Sequence, residues 1–393
     1  MPDSKPFTAC VMQIVPELET GGVEQTTVDV AEAVVRAGGR SIVVSKGGRL
    51  EGRLLKGGST VIKLPVHSKN PFVQWKNVKA LKDLIRKEGV DIVHVRSRAP
   101  AMAAFAAAKA CGVRSVSTYA GIYNAKSPLK RWYNSQMTKG DMVIANSEFT
   151  RDHILKTYDI LPEHVIAIPR GIDLKRFDPE AFDVNRIMTL EEKWGITPDD
   201  RIRFLLAARL TRWKGQALII LAAAKLRAQG IDNFLVLMAG DDQGRSEYTQ
   251  SLLKAIDENN LNDHVKLVGH CADMPSAYAM SHYALAPSIE PEAFGRTAVE
   301  PQAMHRPPLA SAHGATVETV IPGETGWLVK PGDVDAWADA MKTATELAEE
   351  TRFAMGEAGR ARVKAHFSLD VMCDRTLDVY RALLILASGR FKA

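Results

Sequence analysis

ACVMQIV (9–15), TTVDVAEAVVRAG (26–38) and SIVVS (41–45) place a short apolar run, an amphipathic stretch and a second apolar run in succession. A brief run rich in Val and Ile reads as a strand covered on both faces, and the periodic stretch between two such runs reads as a crossover helix. The alternation continues through NVKALKDLIRKEG (77–89), VDIVHV (90–95), AMAAFAAAKACG (101–112) and SVSTY (115–119). It resumes with IRFLLAARL (202–210), QALIILAAAKLRAQG (216–230), NFLVLMAG (233–240), YTQSLLKAIDENN (248–260), HVKLVG (264–269) and YALAPS (283–288). Repeated strand–helix units of this kind build an open parallel sheet with helices on both faces. The fold class is therefore α/β, with two doubly wound, Rossmann-like domains.

A chain of 393 residues exceeds the size at which one core stops growing, which agrees with two domains. Between the two series, VIAIPRGIDLKRFDPEAFDVNR (165–186) loses periodicity and collects Pro, Gly and Asp. The expected division is a first domain over 1–172, a linker over 173–195 and a second domain over 196–373. The helical pattern of DVMCDRTLDVYRALLILASGR (370–390) is expected to return to the first domain from about 374 to 393. Two such sheets facing one another would bring their carboxyl-end loops to one cleft, the usual place for a ligand.

Composition narrows the function. The first residues hold only a short apolar run broken by Gln13 and closed by Glu17, too polar for a signal peptide, and no later run approaches the roughly 20 residues that span a bilayer. A cytoplasmic protein is expected. Four scattered cysteines without a CxxC pair, and ten histidines without HExxH spacing, point to reduced thiols and no metal. A net charge of +5 is too mild to imply a nucleic acid partner. No GxGxxG follows a predicted strand and GxxxxGK[ST] is missing, which disfavours dinucleotide enzymes and P-loop triphosphatases.

The strongest chemical signal is PSIEPEAFGRTAVEPQAM (287–304). A strand ends at Ala286, Gly295 permits close backbone approach, and a helix follows from Thr297, so free N–H groups and the helix dipole would face an anion such as a diphosphate. Glu300 is placed to accept hydrogen bonds from ribose hydroxyls and Glu292 from hydroxyls of a sugar. Alone, the two carboxylates fit solvated helix-terminal charges equally well. In AARLTRWKGQ (207–216), Arg209 and Lys214 follow a strand and precede a helix, where two cations can stabilise charge on a departing phosphate or simply be solvated.

KSPLKRWYNSQMTK (126–139) and KNPFVQWKNVKALKDLIRK (69–87) interleave lysine and arginine, Lys130 and Arg131 among them, with aromatic residues. Such helices suit an anionic lipid surface or a phosphorylated saccharide, or else turn their aromatics into a core. Arg96 and Arg98 follow a strand end and fit either an acidic acceptor or a structural ion pair.

On GGVEQ (21–25), NSEFT (146–150), PRGID (169–173), the Arg209–Lys214 pair, GDDQGR (240–245), EPEAFGRTAVE (290–300) and HGATVETVIPGETGWLV (313–329), the chain resembles the retaining GT-B glycosyltransferases of family 4. VHVRSRAPA (93–101) and GIYNAKSPLKRWYNSQMTKGD (121–141) are similar to the branch of lipopolysaccharide core, mannosyltransferase-like enzymes of alphaproteobacteria. The resemblance implies a metal-independent hexosyltransferase that moves mannose or glucose from a GDP- or UDP-linked sugar, with no other cofactor. The acceptor would be a saccharide or lipid-linked molecule at the inner face of the cell membrane. It implies that Gly21 and Gly22 approach the donor phosphates and that Arg209 and Lys214 clamp them. Glu300 would bind ribose, while Glu292 with the N–H groups of Phe294, Gly295 and Arg296 would orient the sugar. Thr297, Gly240 and Asp241 would line the same wall, and the base would lie near His270 to Met274. Tyr119, Ala120 and Gly121 stand where the resemblance expects an aromatic–His–Gly triplet. Alanine replaces that histidine, so either this branch dispenses with it or the change is inactivating. The rival readings are a GT-B sugar-nucleotide epimerase or hydrolase, and a non-catalytic two-domain sugar-binding protein.

Overall fold

The Val- and Ile-rich runs form strands, those in the middle of each sheet buried on both faces, and the amphipathic stretches between them bury one side against the sheets. The computed structural model describes residues 7–19, 21–181 and 183–389. It divides into two units, Met1–Gly171 with Leu369–Ala393, and Ile172–Ser368.

The first unit contains β1 (Cys10–Ile14), β2 (Arg40–Ser45), β3 (Thr60–Lys63), β4 (Ile92–Val95), β5 (Arg114–Tyr119), β6 (Met142–Ala145) and β7 (Val165–Ala167). They pair in the order β3-β2-β1-β4-β5-β6-β7, and every pair is parallel. The second unit contains β8 (Ile202–Ala207), β9 (Phe234–Ala239), β10 (Val265–Gly269), β11 (Tyr283–Ala286), β12 (Pro308–Ser311) and β13 (Trp327–Val329). Its order is β10-β9-β8-β11-β12-β13, again parallel throughout. In each sheet the strand order reverses once, beside β1 and β4 in the first and beside β8 and β11 in the second. Loops leaving such a pair diverge to opposite faces and leave a crevice at the carboxyl ends of the strands.

The first crossing, after Gly171, lies beside the expected boundary, and the expected linker is part of the second unit. Residues 173–195 belong to the second unit and carry a helix, Val184–Trp194, capped by the Asp183 side chain and ended by Gly195 in the left-handed region. Leu190, Trp194 and Ile196 are buried with Leu205 and Leu235, so this stretch is packed structure and not a free linker. The return to the first unit begins at Leu369, where Met372, Cys373, Leu377 and Tyr380 of the helix Leu369–Gly389 pack with Val11, Val30 and Ile92. Among the described residues no helix is long and apolar enough to cross a membrane.

Candidate functional site

In the second unit, the loops after β8 and β11 are locked to one another. Gly215 has φ +80°, and a β-carbon there would lie 2.1 Å from the Pro287 carbonyl oxygen, so the backbones touch where only glycine fits. Ile289 donates its N–H to the Trp213 carbonyl at 2.8 Å, and the Gln216 amide donates to that of Arg209 at 3.0 Å. Gly240, leaving β9, lies against the Ala208 carbonyl, which a β-carbon would approach to 1.9 Å.

This interlock brings Lys214 onto Glu292. The Lys214 ammonium hydrogen-bonds Glu292 Oε1, and the Ser288 hydroxyl donates to the same oxygen at 2.6 Å. Both charged side chains are largely buried, and the ammonium also lies 4.2 Å from the centre of the Trp213 ring. Ala315 donates its N–H to the Glu292 carbonyl at 2.9 Å, and Gly314 approaches so closely that a β-carbon would stand 2.7 Å from the Glu292 nitrogen. His313 donates from Nε2 to the Ser288 carbonyl at 2.8 Å, and its buried Nδ1 has no partner among the described residues. Ser288, His313 and Gly314 escaped the sequence reading; the HGAT segment that holds the last two was the only signal for them.

Gly295, at φ +78°, caps the helix Arg296–Ala303. Glu300 is buried, and its Oε1 accepts from Arg296 Nε at 2.8 Å. Tyr278 donates at 3.5 Å to the other carboxylate oxygen, and burial together with the Glu300 charge pushes its phenol well up, so it stays a donor. Thr297 is half-buried at the first turn and Arg296 is exposed. The Phe294 side chain packs in the core 6.1 Å from the Phe367 ring and offers only backbone to a ligand. Asp241 is exposed, with its carboxylate accepting from the Gln243 N–H at 2.7 Å. Arg209 is exposed and has no side-chain ion pair among the described residues. His270 is also exposed, whereas Asp273 is engaged by Arg186 at 2.6 Å. The loops after β8 and β11 thus bring together an ion-paired ammonium and carboxylate, Lys214 and Glu292, just before the Gly295-capped helix that carries Glu300, while the exposed Arg209 follows β8.

In the first unit, Gly21 and Gly22 open the helix Gly22–Arg36, and a β-carbon on Gly22 would fall 2.6 Å from Arg170 Nη1. Arg96 is 3% exposed and held by threonine hydroxyls and His94, so it is neither a surface residue nor half of an ion pair. Arg98 faces a separate pocket: it donates to Asn134 Oδ1 at 2.8 Å, its guanidinium stands 3.9 Å from the Tyr123 ring centre, and Lys130 and Tyr133 share the lining. Gly121 is half-buried nearby, and Ala120 contributes its carbonyl to Asn146. Two acceptor-side expectations are corrected. Tyr119 is fully buried with its hydroxyl 3.0 Å from that of Tyr158, because strand alternation turns it into the core. Arg131 is spent on the Thr157 carbonyl, at 2.5 Å, where it satisfies the end of the helix Glu148–Thr157.

Of the aromatic residues of the two basic helices, Tyr133 is half-buried beside Arg98, and Phe72, Trp75 and Trp132 do not turn inward. Phe72 (80% exposed) and Trp75 (69%) stand out from the helix Pro71–Glu88, and Leu129 and Trp132 from the helix Pro128–Ser135. Lys69, Pro71, Leu129, Lys130 and Trp132 line one open pocket, which places these helix ends side by side.

Two doubly wound units, each with its polar groups at a strand-order reversal, define the GT-B class. Residues 189–362 match the domain described as Glycosyl transferases group 1, and residues 20–176 match Glycosyltransferase Family 4. A glycosyltransferase from Rickettsia africae has the same structure with a TM-score of 0.88 and 34% identity, over 96% of this chain and 99% of that one. The chain belongs to this glycosyltransferase family. The HepE protein of Anabaena, in complex with UDP and glucose, shares the fold with a TM-score of 0.78 at 19% identity, covering 95% of this chain and all of that one (100%). Among curated relatives, a D-inositol 3-phosphate glycosyltransferase of Catenulispora acidiphila is 28% identical over 256 residues, 64% of this chain and 59% of the relative. A GDP-mannose-dependent phosphatidylinositol monomannoside mannosyltransferase of Mycolicibacterium smegmatis is 30% identical over 281 residues, 68% of this chain and 66% of the relative. The chain thus spans less than two thirds of the length of these curated relatives.

Proposed function

We propose that this protein transfers a hexose from a nucleotide diphosphate sugar to a saccharide or lipid-linked acceptor of the cell envelope, with retention and without a metal. The observation that supports the reading is the contact between the loops after β8 and β11, where Lys214 meets Glu292 just before the Gly295 turn that opens the Glu300 helix. Arg209 and the helix N-terminus hold the diphosphate, Glu300 holds the ribose, and Glu292, fixed by Lys214 and Ser288, accepts from sugar hydroxyls.

The acceptor hydroxyl bonds to the anomeric carbon on the face from which the carbon–phosphate oxygen bond breaks, and its proton passes to a phosphate oxygen of the leaving diphosphate. Arg209 and Lys214 stabilise the charge that accumulates there. No imidazole at position 120 is needed for that transfer. The names of the relatives support GDP-mannose or a UDP-hexose as donor. The Arg98–Lys130–Tyr133 pocket supports an anionic saccharide acceptor. The exposed Phe72, Trp75, Leu129 and Trp132 beside lysines support docking on the anionic inner face of a membrane, where lipopolysaccharide core is assembled.

Calorimetric titration with UDP, GDP and ADP, then with their hexose conjugates, tests this reading. One nucleoside diphosphate is expected to bind, and Glu300→Ala should raise the donor KM about tenfold while kcat changes little, as for a lost charged hydrogen bond to the nucleotide. Absence of binding by all three nucleotides would remove the proposal. Release of free sugar without any acceptor requirement would instead favour the hydrolase or epimerase.

A further inference from the structure

Three helices of the first unit meet around an open groove. Helix Arg98–Cys111 contributes Ala99 and Met102, helix Pro71–Glu88 contributes Pro71 and Gln74, and helix Pro128–Ser135 contributes Leu129 and Trp132. The helices are tied to one another there: Gln74 Nε2 donates to the Ala99 carbonyl at 3.0 Å, and Arg98 Nη1 to Asn134 Oδ1 at 2.8 Å. The space measures about 470 Å³, within the range of small-molecule sites, and its lining is mostly apolar. Leu129 (75% exposed), Trp132 (53%) and Met102 (43%) keep much of their apolar surface in water, a cost that a bound apolar group relieves.

The groove runs into the Arg98–Lys130–Tyr133 pocket, because Lys69, Arg98, Ala99, Lys130 and Tyr133 line both. Beyond this shared rim the second space, about 630 Å³, turns polar with Ser97 and Asn124. Three cations therefore stand at the junction, the Lys69 ammonium and the Arg98 guanidinium each 5.8 Å from the Tyr133 ring centre. No carboxylate lines either space. Lysine stems lie along apolar surface while their charged ends stay in water, so Lys69 and Lys130 can border a hydrocarbon and still meet an anion. The sequence of surfaces is apolar, cationic, then polar.

We propose that the two spaces together hold one anionic amphiphile, its hydrocarbon chain in the groove, its acidic group at Lys69, Lys130 and Arg98, and its saccharide in the polar pocket. Phe72 and Trp75 lie outside the groove's lining, so they meet the bilayer surface while Leu129 and Trp132 hold a single chain. The choice falls on a lipid-linked acceptor over a free saccharide. That the amphiphile is an acceptor rests on the glycosyl-transfer reading; its binding does not.

Calorimetric titrations of the full chain with octyl phosphate, butyl phosphate, inorganic phosphate and octyl glucoside, all below micelle-forming concentrations, test the site. A fully buried methylene strengthens binding about fourfold and a half-enclosed one about twofold, so octyl phosphate should bind at least about tenfold more tightly than butyl phosphate. It should exceed octyl glucoside by about tenfold, the gain of a charge-assisted contact, and inorganic phosphate should bind most weakly. Leu129→Ser with Trp132→Ser, both on exposed side chains that the fold does not need, should erase the difference between the two chain lengths. Phe72→Ser with Trp75→Ser should keep that difference while weakening binding to vesicles of phosphatidylglycerol and phosphatidylcholine. Equal binding of the two alkyl phosphates, equal binding of octyl phosphate and octyl glucoside, or a chain-length effect untouched by Leu129→Ser with Trp132→Ser would overturn the proposal. So would dimerisation through this face without binding of octyl phosphate. Titration with nucleoside diphosphates is read separately: its failure removes the transfer reading and leaves the groove, whereas failure of octyl phosphate removes the groove and leaves the donor site.

Discussion

Lys214 and Glu292 stand 78 positions apart in the chain and share one hydrogen bond in a largely buried setting. Removing either leaves the other charge enclosed without its partner, so Lys214→Met should lower stability by about 2 kcal/mol and abolish binding of nucleoside diphosphate. Lys214→Met combined with Glu292→Leu should recover most of the stability and none of the binding, which chemical denaturation and calorimetry on the same samples will show; recovery of binding would contradict the role given to the pair. Both residues could be picked from the sequence by their turns, but their contact could not, because it depends on how two loops interlock. The same limit applied to Arg96, whose burial among threonines gives no local pattern, and to Tyr119, which strand alternation sends inward. His282 offers a pH test. Its Nδ1 accepts from the Arg203 N–H at 2.9 Å, and burial first, then Arg352, Arg306 and Arg203, bring its pKa down from 6.5 to about 4. The unfolded chain takes up this proton near pH 6.5 and the folded chain only near 4, so the unfolded state binds more protons between those values. Stability should therefore fall as pH drops through that window, by up to about 3 kcal/mol. His282→Asn, which keeps an acceptor for the Arg203 N–H, should flatten that slope in denaturation at pH 7 and pH 5.

Strand and helix types were legible because each obeys a strong period: β1, β9 and β11 are unbroken buried runs, and the helix Pro71–Glu88 carries its Asn70 cap, its proline at the first turn and Gly89 at its end. The stretch 173–195 misled because Asp173, Asp178, Pro179 and Asp183 punctuate its first half and hide the apolar spacing of Leu190 and Trp194 in the second. Neither signal reveals how tightly the elements meet. At Gly215 the left-handed backbone and the Pro287 carbonyl both exclude a side chain, so Gly215→Ala should part the loops after β8 and β11. A loss of at least about 2 kcal/mol is expected from strain and displaced packing together, with nucleotide binding falling further than stability because Lys214 is the adjacent residue. Unchanged nucleotide affinity in a folded Gly215→Ala protein would show that the interlock does not position the cations.

The chain begins and ends in one unit, so the first unit is assembled from two segments separated by the whole of the second. That topology makes the helix Leu369–Gly389 part of a core and not an appendage. Met372, Cys373, Leu377 and Tyr380 bury the side of the first sheet formed by Val11, Ile92 and Ile144, and the Tyr380 hydroxyl holds His94 beneath Arg96. The second unit has its own core, centred on Phe204, Val236 and Leu285, and its crossing strands are joined on its own side by the Ile172 N–H to the Phe367 carbonyl at 2.8 Å. Ending the chain after Ser368 should therefore act on one unit alone. Loss of six or so buried apolar side chains, each contributing about 1.5–3 kcal/mol, exceeds the typical stability of a domain. Calorimetry should then show the first unit's transition abolished while the second unit's persists, still shifted upward by the nucleoside diphosphate that binds the full chain. A shortened protein that kept the unfolding heat of both units would show that the returning helix is dispensable, and the two-segment origin of the first core would have to be abandoned.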